Sequence, residues 1–188
     1  MKRLAVLVLL LGLLAGCGGT KTVTVTQTVT KTVTKTVTTT PAPSAAAACG
    51  AADLSGSFAG VPGSAGAGQI SYALTLTNSS ASACFVSGIP QLQLLDAQGG
   101  ALSTSVSAAQ PGQGTAAKVV LQPGASATAE ARFSPDVPGP GEQSQGACEP
   151  TAHQLKVTIG GGSVTVPVSP PTPVCEHGSL RMSVLAAS

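Results

Sequence analysis

Few residues in this chain could carry chemistry. Among 188 residues there are two histidines, five cysteines and seven acids. Cys175-Glu176-His177 sets a thiol and an imidazole two positions apart. Those donors suit a borderline-soft cation such as zinc or copper, so the triplet reads as half a metal site. The plainer reading of the same triplet is a bridged cysteine followed by a surface loop. Glu142, Glu149 and Glu176 could form an acidic patch, but they lack the spacing of a Ca²⁺-binding loop. Nucleophilic catalysis would need His153 or His177 beside a distant Ser and Asp, and the chain has neither G-x-S-x-G nor H-E-x-x-H. The expectation is therefore a non-enzyme with no catalytic residues, no cofactor and no assigned metal ligand.

Cys17 has a different chemistry in prospect. Lys2 and Arg3 precede an apolar run of eleven residues, Leu4 to Leu14, which ends in Leu14-Ala15-Gly16-Cys17. The run falls short of the roughly 20 residues a membrane-spanning helix needs, and fits the apolar region of a secretory signal. The tetrapeptide resembles the bacterial lipobox. That resemblance implies a thiol that attacks a lipid donor to form a diacylglyceryl thioether, followed by cleavage before Cys17. Residues 1–16 are then a removed signal peptide. Two acyl chains anchor stably where one is marginal, so the mature protein is expected on the extracytoplasmic face of the cell membrane.

The elements that must position the remaining residues follow from pattern. Residues 17–48 read as a lipidated N-terminus and stalk. Thr20 to Thr40 contains 12 Thr, 5 Val, 3 Lys and 1 Gln, with Val-Thr-x-Thr repeated four times from Val25. Period 2 suggests a strand, but neither face is apolar enough to pack, so a disordered tether is expected. At about 3.3 Å per residue, residues 18–48 would reach roughly 100 Å when extended. The stalk carries three lysines and no acid, whereas residues 49–188 carry four bases and seven acids.

From Cys49 onward, short alternating runs are separated by Gly, Pro, Ser and Asn. Ile70, Tyr72, Leu74 and Leu76 alternate with small polar residues up to Asn78. Leu92 and Leu94 make a second run, Val119 to Leu121 a third, and Ala125 to Phe133 a fourth. Leu155, Val157 and Ile159 lead through Gly160-Gly161-Gly162 to Val164, Val166 and Val168, which reads as a hairpin closed by a Pro-rich break. Leu180, Met182 and Val184 form the last run, and Leu54 to Val61 a weaker one. No ten-residue window shows a 3.6-residue period. About seven to nine short strands with regular turns point to an antiparallel, immunoglobulin-like β-sandwich over residues 49–188.

An exported domain lies where disulfides persist. Setting Cys17 aside leaves four cysteines, with three ways to form two bridges. Cys49 precedes the first strand and Cys84 follows the Ile70 run. Cys148 and Cys175 flank the Leu155 hairpin. Sequence-local pairing, Cys49–Cys84 and Cys148–Cys175, staples each meander at the edges of the sandwich, and both pairs are expected.

Composition narrows function further. Charged residues are 9% and aromatics 2% of the chain, with no Trp and one Tyr. Nucleic-acid binding needs a basic face and stacking aromatics, so it is excluded here. Sugar stacking and hot spots rich in Trp, Tyr and Arg are disfavoured. Recognition through a sheet edge or loops stays open.

The stretch from Leu74, LTLTNSSASACFVSGIPQLQLLDAQGG, combines Thr77-Asn78, Cys84 and Gly88-Ile89-Pro90. With LQPGASATAEARFS from Leu121 to Ser134, Cys148 and Cys175, it resembles the actinobacterial secreted and lipoprotein family known as domain of unknown function 4232. That family carries no established activity, so the resemblance implies a fold rather than a function. The expected function is a membrane-anchored lipoprotein with a non-catalytic module for an unidentified envelope or protein partner. The alternatives are an extracytoplasmic metal or small-ligand binder and, last, an envelope hydrolase.

Overall fold

The computed structural model describes residues 46–110, 112 and 117–188. The signal peptide, Cys17 and the Thr-rich stretch lie outside the described residues. The chain runs through β1 (Ala47–Ala48), β2 (Leu54–Gly60), β3 (Ile70–Asn78), β4 (Cys84–Val86), β5 (Gln91–Leu95) and β6 (Ser105–Ala108). It continues through β7 (Val119–Leu121), β8 (Ser126–Phe133), β9 (Thr151–Ile159), β10 (Gly162–Pro173), β11 (Ser179–Met182) and β12 (Ala186–Ala187). A 3₁₀ turn at Ala51–Asp53 and a four-residue turn at Cys175–Gly178 are the remaining elements. The fold is an all-β sandwich.

The longer strands form where side chains alternate between core and solvent. In β8, Ala127, Ala129, Ala131 and Phe133 are buried while Glu130 and Arg132 are exposed. Alanine favours helix, but strict alternation puts each of these on the inner face, and only a strand does that. Tyr72, Leu74 and Leu76 of β3 meet Phe58 and Leu54 of β2 in the same core. Leu94 of β5, Leu155 and Val157 of β9, and Val166 and Val168 of β10 complete it. The Phe58 and Tyr72 rings lie 5.2 Å apart, and Tyr72 lies 5.2 Å from Phe133.

The strands divide into two sheets. The larger runs β5-β9-β10-β2-β3-β8-β11-β6, with β12 also on β8, and the smaller runs β1-β4-β7. The Gly160-Gly161-Gly162 hairpin forms as expected, pairing Gly162 with Ile159. Most ladders are antiparallel, but β1–β4, β10–β2 and β11–β6 are parallel. Alternation along one strand carries no information about its partner's direction, so these went unread. The expected Pro-rich break is instead the far half of β10, which resumes pairing with β9 at Thr172↔Ala152 after a register shift. Prolines lack the N–H of a regular ladder, and the shift falls where they cluster. β1, β4, β6 and β12 have two to four residues each, too few to show a period.

Both expected bridges form, Cys49–Cys84 and Cys148–Cys175, with Cα separations of 4.8 and 5.5 Å. They are less peripheral than expected, because Cys49, Cys84 and Cys175 are buried. Cys49 directly follows β1, and its N–H donates to the Phe85 carbonyl at 2.9 Å. The bridge thus clamps the point where the chain enters the smaller sheet.

Asn78, from the Thr-Asn pair noted above, is fully buried. Its Nδ2 donates to the carbonyls of Ser82 and Leu121, and its Oδ1 accepts from Ser80 N–H and Oγ. One side chain therefore joins the end of β3, the following turn and β7.

Candidate functional site

The residues singled out for chemistry converge in part. The turn Cys175–Gly178 has a left-handed interior, with φ 57° and ψ 42° at both Glu176 and His177. Non-glycine residues adopt this region at a cost and need surrounding structure to hold them there. Several contacts do so. Cys175 N–H donates to the Ser134 carbonyl at 2.9 Å, and its sulfur is bridged to Cys148. Gly178, at φ 74°, packs so tightly that a Cβ would lie 1.9 Å from the Ser103 carbonyl oxygen. Only glycine fits there.

The segment Pro138-Gly139-Pro140-Gly141-Glu142 lies against this turn. A Cβ on Gly139 would come 3.0 Å from the Glu176 Cα, so glycine permits the approach. Glu142 then reaches into the turn with its side chain only 1% exposed. Its Oε2 accepts from the N–H groups of Gly139 at 2.6 Å and Glu176 at 2.9 Å, and its Oε1 accepts from His177 N–H. Consecutive backbone N–H groups in a left-handed turn form a concave anion nest, and Glu142 is its internal anion. Burial alone would raise the Glu142 carboxyl. The N–H groups of His177, Gly139 and Glu176, with the Glu149 carboxyl, outweigh burial and lower the group to about 2.

His177 stands over the same carboxylate. Its Nδ1 lies 3.7 Å from Glu142 Oε1 and 3.5 Å from Glu149 Oε1, while its Nε2 lies 3.1 Å from the Pro140 carbonyl oxygen. The ring is 61% exposed and Glu149 18%. Donor atoms of Glu142, Glu149 and His177 all fall within 4.8 Å of one another.

The residues expected to carry chemistry fall into other groups than their spacing suggests. Cys175 is bridged and leaves the metal half-site, and Glu176 contributes its backbone N–H to the nest. His153 lies on β9, and its side chain makes no hydrogen bond or ion pair among the described residues. The role of Glu142 as a clamp was missed, because it arises from backbone donors 34 and 35 residues further on. The Gly-Pro-Gly run before Glu142 was the available signal for a close backbone approach.

The clamp has a pH signature. The carboxyl sits at about 2 in the folded protein against an ordinary 4.5. Its stabilising contribution is complete above the ordinary value and disappears as pH falls through the folded one. Glu142→Gln should therefore flatten the loss of stability on acidification over that window. Urea midpoints measured against pH will show it, and parallel curves for both proteins would mean that the carboxylate does not clamp the turn.

Residues 49–186 match the family described as a domain of unknown function (DUF4232). No curated protein and no solved structure matches the chain significantly.

Proposed function

For a chain that belongs to the domain of unknown function 4232 family, whose description assigns no activity, we propose a function from the chain's own residues. The protein is a lipoprotein anchored through Cys17 on the extracytoplasmic face of the membrane. Its immunoglobulin-like domain acts as a non-catalytic interaction module of the envelope, held off the surface by the Thr-rich stalk.

The pairing of cysteines carries this reading. Four of the five are consumed by Cys49–Cys84 and Cys148–Cys175. The one left over is Cys17, at the end of the apolar run and behind Leu14-Ala15-Gly16. Disulfides persist in exported proteins, and a single remaining thiol at a lipobox-like position has lipidation as its coherent use. The three stalk lysines support the placement, since a basic segment close to anionic lipid gains about 1 kcal/mol per Lys, whereas the net negative domain is repelled from it.

Cys17→Ser tests the proposal. Membrane fractionation should show the wild-type protein in the detergent-soluble membrane fraction. The variant should be either released or retained as an unprocessed precursor with residues 1–16 still attached. Identical fractionation and processing of the two proteins would overturn the reading.

A further inference from the structure

We propose that Glu142, Glu149 and His177 form a binding site for a divalent transition cation of the zinc type, independently of whether the protein is membrane-anchored. The imidazole of His177 is held by its Nε2. The Pro140 carbonyl can only accept, so Nε2 is the donor in that 3.1 Å contact. Metal-bound histidines characteristically give their second ring nitrogen to such a carbonyl, which fixes the tautomer and aims the other lone pair. Here the other nitrogen, Nδ1, points at carboxylate oxygens 3.5 and 3.7 Å away. Three atoms able to ligate a metal therefore lie within 4.8 Å of one another.

The geometry suits a metal. Tetrahedral zinc, with bonds of about 2.0–2.2 Å to nitrogen and oxygen, sets its ligand atoms roughly 3.4 Å apart. Glu142 remains able to ligate despite its three N–H partners. A carboxylate offers about four lone-pair sites. Oε2 uses two and Oε1 one for backbone N–H groups, and the remaining contact of the carboxylate is with Glu149, which a cation shared by the two would replace. The N–H groups then act as the outer contacts that orient a ligating carboxylate. One His and two Glu leave a fourth position free, the arrangement of zinc sites that keep a water. The neighbouring group of Glu142 with Cys148 and Cys175 offers no thiolate, because both sulfurs are bridged.

Calorimetric titration of Zn²⁺ into the disulfide-intact mature protein tests the site. One Zn²⁺ should bind per chain. His177→Gln and Glu149→Gln, both at exposed or partly exposed side chains, should each weaken binding by about tenfold or more, the scale on which even supporting residues of metal sites count. His153→Gln should bind as the wild type does. Substitution with Co²⁺ should give the visible absorption of a four-coordinate nitrogen and oxygen site, and His177→Gln should abolish it. Absence of Zn²⁺ binding would overturn the proposal. So would binding unchanged in His177→Gln, or binding lost in His153→Gln.

Discussion

Replacing Phe58 with Ala is expected to destabilise the domain by about 3–5 kcal/mol. Phe58 is fully buried in β2 and meets Tyr72, which meets Phe133 in turn. The chain has only four aromatic residues, three Phe and one Tyr, and three of them form this row. The neighbouring inner face of β8 is alanine, at positions 127, 129 and 131. Phe58 stands between Leu74 of β3 and Val168 of β10 in the sheet, and the space its ring vacates is closed only in part by such neighbours. Native stability is typically about 5–15 kcal/mol, so much of the fold's margin goes with one ring. Urea unfolding should show a lowered midpoint with the cooperative transition retained. A midpoint close to the wild type would mean that the aromatic row does not organise the core.

The double substitution Cys49→Ala and Cys84→Ala should have an effect of similar size. The bridge spans a sequence separation of 35, and the chain-entropy relation values a loop of that length at about 4 kcal/mol. A local effect accompanies the global one. β1 has two residues and rests on a short parallel ladder with β4, in register Ala47↔Cys84 and Ala48↔Phe85. Without the bridge, little holds residues 46–50 to the smaller sheet. The variant should be cut by protease near that point while β2 onward resists, and its urea midpoint should fall. Unchanged proteolysis with an unchanged midpoint would contradict the role given to the bridge.

How far the sequence disclosed this architecture depended on the range of each signal. Alternation revealed β3, β8 and β9 because each has eight or nine residues and one clear core face. The two bridges were legible because the cysteines bracket recognisable meanders. Strand direction was not, since the three parallel ladders join segments far apart in sequence. The far half of β10 was hidden because proline reads locally as a breaker, although its carbonyls and side chains still serve a sheet. Tyr72 illustrates this, donating its hydroxyl to the Pro170 carbonyl at 2.8 Å. The site was half legible. His177, Glu142 and Glu149 stood out as scarce ionisable groups, but their convergence depends on left-handed backbone at Glu176 and His177, which no local propensity indicates.

We propose that the β-sandwich is displayed outside the membrane on a lipid anchor at Cys17. Intact-mass and N-terminal peptide analysis of the mature protein decides whether it is. The mature chain should begin at Cys17, carry a diacylglyceryl thioether and contain two disulfides with no free thiol. A mature protein that begins at another residue, with an unmodified Cys17 or none, would contradict it.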